Sequence, residues 1–233
     1  MQGSNSTHTW KVAIIGRLLS GSSRGKLTDR LSDAVIWVCV APLLAGYALG
    51  FSSPALDSLR GAHVLLNDWD VSLFGSLITV GGLLGSFMAG VMLEHLGRRM
   101  TLLASLASAL LGFLLVACAS QMRELAFLSR ILSGMSAAFA FSAAPVYISE
   151  VAPSELRGTL GTLVQLAVTI GILVVYMLGF WLPYWGLALF ASIIALVGVF
   201  YVYSCILDTP RWLLGRVRIS FGFLSPQLDK WLS

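Results

Sequence analysis

Long apolar stretches, separated by short polar segments, make up most of the chain after about residue 34. An α-helix rises 1.5 Å per residue and needs about 20 apolar residues to cross roughly 30 Å of hydrocarbon. The stretches of this length cover residues 34–54, 71–93, 100–120, 125–148, 160–182 and 184–207. The pattern predicts an all-α membrane protein with six transmembrane helices.

The amino-acid composition agrees with a chain embedded in lipid. Of its 233 residues, 57% are hydrophobic and only 11% are charged. Soluble domains contain about 25% charged residues, so this chain has too few of them to cover a water-facing surface. We therefore expect the lipid bilayer as its surrounding and no nucleic-acid partner. Spans and short loops use up most of the length, so the chain is not predicted to be an enzyme.

The cysteines give no sign of a metal or a cofactor. Cys39, Cys118 and Cys205 all lie in apolar stretches, without a Cys-x-x-Cys pair or a cluster of cysteine and histidine. We interpret them as packing residues and expect neither a metal site nor a cofactor.

Basic residues are distributed unequally between the two ends of the predicted helices. Twelve lysines and arginines fall on one side, whereas only Arg60 and Arg123 fall on the other. Because segments rich in Lys and Arg stay in the cytoplasm, both termini are predicted to be cytoplasmic. The remaining basic residue, Arg130, lies inside the fourth stretch as an intramembrane charge. The predicted organisation is a cytoplasmic tail, a bundle and a second cytoplasmic tail, at residues 1–33, 34–207 and 208–233.

Charged residues cluster in three segments at the predicted cytoplasmic face. The first segment is the turn between the second and third helices, with Glu94, Gly97, Arg98 and Arg99. A carboxylate beside two arginines can form the salt bridges of a gate. The alternative for the two arginines is a simple positive-inside anchor.

The second segment joins the fourth helix to the fifth. Glu150 lies at one helix end and Arg157 opens the next helix, with Pro153 in the turn between them. Opposite charges therefore stand at neighbouring termini, within reach of Glu94 and Arg98.

The third segment, with Asp208 and Arg211 on either side of Pro210, directly follows the sixth helix and can join the same cluster. The predicted cytoplasmic salt-bridge network consists of Glu94, Arg98, Arg99, Glu150, Arg157, Asp208 and Arg211.

In combination these segments resemble the sugar-porter family of the major facilitator superfamily. The resemblance covers roughly residues 34–214 and rests on Gly97-Arg98-Arg99, Arg130, the loop 150–158 and Pro210-Arg211, which occur in family order. It implies the N-terminal half of the major facilitator fold, with six helices in two repeats of three. Segment 46–54 of the first helix is most similar to class III facilitative glucose transporters and insect facilitated trehalose transporters.

A sugar site inside a membrane bundle needs polar groups that face away from lipid. Gln165, Val168, Thr169 and Ile172 follow helical spacings and share one face of the fifth helix, and Gln165 offers both an acceptor and donors. By resemblance, this face lines the central cavity. The alternative is that Gln165 and Thr169 form hydrogen bonds with neighbouring helices.

The first helix contributes shape rather than hydrogen bonds to the implied cavity. Its positions that match the family's cavity lining are Ala45 and Leu49, both apolar. Proton-coupled relatives have an aspartate at the position that Ala48 occupies here, and no Asp or Glu lies well inside a predicted span. The resemblance therefore implies uniport of a hexose or disaccharide such as glucose or trehalose, with no coupling ion.

Only one half of a major facilitator is recognisable in the chain. The family places its substrate between two six-helix halves, and the sequence after Leu214 no longer resembles it. We expect a truncated product that does not transport alone, in the plasma membrane or an endomembrane. The alternative is a regulatory or structural fragment that binds a full-length transporter or forms a homo-oligomer.

Overall fold

The computed structural model describes residues 35–62, 67–119, 122–152 and 157–205, and the contacts below lie within the compact unit Trp37–Ser233. In those residues every regular element is an α-helix. The helices are α1 (Val40–Gly50), α2 (Ser52–Gly61), α3 (Asp68–His95), α4 (Arg98–Ala117), α5 (Arg123–Val151), α6 (Arg157–Gly179) and α7 (Tyr184–Cys205).

The described part of the chain has five helices, α3 to α7, that are long and apolar enough to cross a membrane. A sixth span results if α2 and the helical segment that ends at Gly50 are counted together, across a bend of 49°. Pro54 explains the bend, because proline has no N–H for the carbonyl of Gly50 and its ring clashes with that carbonyl. The predicted all-α fold with six spans is confirmed.

The first span departs most from its predicted boundaries. Residues 57–61 were expected in a polar loop, but α2 continues to Gly61. Ala55 and Leu59, four residues apart, are fully buried on one side of α2, while Asp57 and Arg60 are exposed on the other. One buried stripe is sufficient to hold a helix against the bundle, although the average hydropathy of the segment is low.

Two pairs of helices make very close backbone contacts at glycines. A Cβ atom added to Gly46 of α1 would strike the carbonyl oxygen of Val168, and one added to Gly171 of α6 would strike that of Leu43. Each carbonyl belongs to the residue three positions before the glycine of the same helix. In lipid, such close packing supplies much of the attraction between helices.

The contact between α3 and α5 repeats this geometry. A Cβ atom on Gly134 of α5 would strike the carbonyl oxygen of Ile78, and one on Gly81 of α3 would strike that of Ile131. The same offset of three residues recurs on both helices. Thus α1 packs on α6 as α5 packs on α3, which is the relation that two repeats of three spans require.

The remaining helices pack through side chains. Tyr47 of α1 is fully buried and donates a hydrogen bond of 2.9 Å to the carbonyl oxygen of Leu187 in α7. Its ring meets that of Phe113 in α4 edge to face, with 5.6 Å between centroids. Ser105 of α4 donates to the carbonyl oxygen of Ser136 in α5 at 2.9 Å. These contacts tie α4 and α7 to the paired helices.

Substitution of alanine for Gly46 or Gly134 is expected to lower the free energy of unfolding by about 1–3 kcal/mol, because the added methyl group forces two backbones apart. Gly75 and Gly158 are matched controls, because a Cβ atom there would meet nothing within 4 Å. Thermal unfolding of the purified variants in detergent measures the difference. Equal losses at all four positions would contradict the assigned contacts.

Candidate functional site

The turn between α3 and α4 depends on a glycine. Gly97 has φ 89°, a conformation that side chains rarely adopt, and its N–H donates to the carbonyl oxygen of Met92 at 3.1 Å. Its own carbonyl accepts from the hydroxyl of Thr101 at 2.9 Å. This tight turn places Arg98 and Arg99 at the first two positions of α4. The end of α5, the start of α6 and the end of α7 lie at the same end of the bundle. We call this end the basic end.

Arg98 connects this turn to α5 through an ion pair. Its Nη2 lies 2.8 Å from Oε1 of Glu150, and the two side chains are only 22% and 10% exposed. Nη1 of the same arginine donates to the carbonyl oxygen of Leu93, in the last turn of α3, at 3.3 Å. Among the described residues, Arg98 Nε and Glu150 Oε2 are buried without a hydrogen-bond partner. One oxygen of the carboxylate is therefore used inside the bundle and the other is not.

Arg99 has a different partner from the one expected in a network of carboxylates. Its Nη2 donates to the carbonyl oxygen of Tyr203 in α7 at 2.7 Å, and its guanidinium lies 6.0 Å from the centre of the Tyr203 ring. A cation at the C-terminal end of a helix is favourable, because carbonyl groups there lack partners within the helix. The two neighbouring arginines thus join α4 to α3, α5 and α7.

The other predicted members of the network lie at helix ends or outside the described residues. Glu94 is exposed in the last turn of α3, and Arg157 is exposed at the first residue of α6. Asp208 and Arg211 lie outside the residues that the structure describes.

At the opposite end, two acidic residues outside the predicted network lie close to the two basic residues Arg60 and Arg123. Arg60 of α2 pairs with Asp68 at 2.8 Å, and Arg123 of α5 lies 3.8 Å from Asp70. Both aspartates are in the first turn of α3, where the helix dipole stabilises a negative charge. Their position beside the only basic residues on that side was a signal available in the sequence.

Arg130 lies in the third turn of α5 and is 1% exposed. A charged side chain inside a membrane span is costly, so it needs compensating partners. Its Nη1 donates to the carbonyl oxygen of Ala48 at 3.3 Å, and its Nη2 donates to the hydroxyl of Ser52. Its guanidinium also lies 4.8 Å from the centre of the Phe74 ring. None of the ion pairs between described residues includes it.

The polar residues predicted on the fifth span are exposed on α6. Gln165 and Thr169 both reach the surface, and Ile172 is half-buried beside them. The Thr169 hydroxyl donates to the carbonyl oxygen of Gln165 in its own helix at 3.0 Å, which leaves its lone pairs as acceptors.

Two of the residues expected at the same cavity do not reach the surface. Val168 is buried because α1 packs against it at Gly46, and Ala45 of α1 is fully buried. Leu49, one turn after Ala45, is exposed. In this arrangement Ala45 and Val168 can support a cavity wall, while the exposed residues can contact a ligand.

In the part of the chain that the structure describes, no group of three histidine, cysteine or acidic residues is arranged to bind a metal ion.

Sequence comparisons identify relatives over most of the chain. The family model described as "Sugar (and other) transporter" matches residues 34–221. The facilitated glucose transporter member 8 of solute carrier family 2 from Bos taurus is 35% identical over 193 residues, which are 80% of this chain and 39% of the relative. The sugar transporter ERD6-like 6 from Arabidopsis thaliana is 33% identical over 182 residues, which are 77% of this chain and 36% of the relative.

An insect relative is also similar. The facilitated trehalose transporter Tret1 from Aedes aegypti is 31% identical over 188 residues, which are 79% of this chain and 23% of the relative. The chain therefore spans less than half the length of each of these relatives.

Structure comparison finds the same fold in the xylose transporter XylE from E. coli. Its inward-open conformation has a TM-score of 0.70 at 22% identity, over 82% of this chain and 53% of that one. Its complex with 6-bromo-6-deoxy-D-glucose has a TM-score of 0.72 at 21% identity, over 81% of this chain and 47% of that one. The bundle has the architecture of one half of these structures.

Replacement of Arg98 or Glu150 by glutamine is expected to lower the free energy of unfolding by about 2 kcal/mol each, because the remaining charge is left poorly solvated. The double variant should lose about 1–3 kcal/mol less than the sum, since the residues interact directly. Chemical unfolding in detergent measures this coupling. Arg157→Gln, at an exposed arginine, is the control and should change little; strictly additive losses would contradict the pairing.

Proposed function

Because the chain belongs to the sugar-porter family of the major facilitator superfamily, we propose that its six-span bundle forms one half of a facilitative transporter for a hexose or disaccharide such as glucose or trehalose. The relatives named above are sugar transporters, and the chain is not an enzyme. Glucose and trehalose appear in the names of two of these relatives, each of which matches more than three quarters of this chain.

The observation that supports sugar binding best is the exposed polar pair on α6. The Gln165 amide has no hydrogen bond with any described residue, and Thr169 bonds only within its own helix. Among the described residues neither side chain bridges to a neighbouring helix, which favours a ligand-binding role over a role in helix packing. A sugar hydroxyl between two half-bundles can donate to and accept from both groups. Leu49 and Ile172 would contribute apolar contact beside them.

We propose that the basic end faces the cytoplasm and forms part of the gate. The unequal distribution of Lys and Arg supports this orientation. The pair Arg98–Glu150 and the contact of Arg99 with Tyr203 fasten α4 to α5 and α7 at this end.

We further propose that transport is uncoupled uniport. In the described helices α3 to α7, carboxylates occur only in a first or last turn. The guanidinium of Arg130 is compensated by a carbonyl, a hydroxyl and aromatic rings, none of which titrates near neutral pH. Helices α3 to α7 therefore lack a carboxylate deep in a span that would bind and release a transported proton, and Asp57, the carboxylate of α2, is exposed beyond the bend.

Substrate binding can be tested by joining this chain at Leu214 to the second half of the bovine relative and expressing the fusion in cells without endogenous hexose uptake. We expect saturable uptake of radiolabelled glucose or trehalose. Gln165→Ala should raise KM by about 3- to 10-fold, because one hydrogen bond contributes about 1 kcal/mol. Thr169→Val should have a similar effect.

Thr162→Val is the matched control, because Thr162 is also an exposed threonine bonded within α6, to Thr159 at 2.7 Å, but lies two turns closer to the basic end. Equal KM values for wild type, Gln165→Ala and Thr169→Val would show that this face does not bind sugar.

Uniport predicts that sugar entry into proteoliposomes containing the fusion changes neither the internal pH nor the membrane potential. A pH-sensitive dye and a potential-sensitive dye inside the vesicles measure both quantities during uptake. Accumulation of sugar driven by an imposed pH gradient would refute uniport while leaving sugar transport intact.

A further inference from the structure

The bend in the first span lies directly against the buried side chain of Arg130. The guanidinium donates to the Ala48 carbonyl oxygen before the bend and to the Ser52 hydroxyl after it. Phe51, the residue between α1 and α2, places its ring 5.8 Å from the same guanidinium. One side chain from α5 therefore contacts both arms of the bend and the residue at its centre.

The backbone at the bend needs such a donor. Ala48 belongs to the last turn of α1, where carbonyl groups lose their partners within the helix. In hydrocarbon, water cannot replace those partners. A rigid guanidinium with five donors can satisfy a carbonyl and a hydroxyl at the same time, which a lysine ammonium on a flexible stem does less well.

Aromatic rings compensate the charge of the guanidinium. Phe74 of α3 is fully buried, and the centre of its ring lies 4.8 Å from the guanidinium carbon. Ring faces are electronegative and attract a desolvated cation within about 6 Å. The aromatic rings thus stabilise the charged arginine at the bend, although its described contacts include no carboxylate.

We infer that Arg130 is a positioning residue that sets the angle between α1 and α2. The far end of α2 is held by the exposed pair Arg60–Asp68, by a part-buried hydrogen bond of 3.1 Å from the Tyr184 N–H to the Ser58 hydroxyl, and by packing of the buried Leu59. The end at the bend is held by the buried contacts of Arg130. Packing along α2 holds this helix against the bundle, whereas Arg130 binds both arms of the bend at once and so fixes the angle between them.

The consequence for transport rests on the proposed function. A fixed bend keeps α2 at a constant angle to the bundle while the two halves rock, so the outer part of the first span moves with its own half. The angle itself is a property of the folded chain and needs no substrate. A failed sugar assay and a failed angle measurement would therefore refute different statements.

The angle can be measured as a distance between two spin labels on the full 233-residue chain in lipid nanodiscs. One label is placed at Gly61→Cys, at the end of α2 where an added side chain meets nothing within 4 Å, and the other at Leu111→Cys, which is exposed on α4. The three native cysteines are first replaced by alanine. A helix of ten residues is about 15 Å long, so a change of about 20° moves its end by about 5 Å.

Arg130→Met retains the volume of the side chain but removes its donors, and it should shift or broaden the distance distribution by several ångström. Ser52→Ala retains the charge and should cause a smaller shift in the same direction, whereas Ser52→Thr, which keeps the hydroxyl, should restore the wild-type distribution. The combination of Arg130→Met and Ser52→Ala should shift the distance no further than Arg130→Met alone. Both substitutions remove the same hydrogen bond between Arg130 and Ser52, so their effects should not add.

Ser53→Ala is the matched control, because Ser53 is exposed and next to Ser52. A second label pair, Leu111→Cys with Met177→Cys on α6, should stay unchanged in every variant. A lower melting temperature with an unchanged distance in Ser52→Ala and Arg130→Met would show that the arginine only stabilises the fold, and the inference would be wrong. Equal shifts for Ser52→Ala and Ser53→Ala would also overturn it.

Discussion

Inside hydrocarbon no water is available to bind a polar group, and every other feature of this bundle depends on that condition. It leaves helices as the regular structure of the described spans and confines most charges to helix ends. It also removes the hydrophobic drive that packs helices in water, so backbones must approach one another closely instead. Where a charge does enter the bundle, as at Arg130, a carbonyl, a hydroxyl and aromatic rings from other helices surround it.

Close approach explains why the two main contacts of the bundle look alike. Gly46 with Gly171 and Gly81 with Gly134 bring each backbone against a carbonyl oxygen of the partner helix, with the same offset of three residues. Two copies of one contact, in reciprocal positions, make α1 and α5 equivalent and α3 and α6 equivalent. The polar face of α6 is then left outside these contacts, where a partner half or a substrate can meet it.

The charged end was recognisable from the sequence, but only one of its two arginine contacts was. Their positions at neighbouring helix ends predicted that Arg98 and Glu150 come near each other. In the structure Arg98 Nη2 lies 2.8 Å from Glu150 Oε1. Nothing in the local sequence assigned Arg99 to the backbone of Tyr203, 104 positions away along the chain. Likewise, hydropathy predicted a loop where α2 continues, because an average over a window does not register a single buried stripe.

The sequence by itself determined the six spans, the family and the ends at which charges collect, because each of these depends on local composition and on short motifs. The tertiary structure alone decided which side of each helix is buried. Neighbouring residues point about 100° apart around a helix, so a small rotation exchanges a buried residue for an exposed one. For this reason Val168 lies beneath α1 while Thr169, the next residue, is exposed, and for this reason the partners of Arg130 follow from packing and not from spacing.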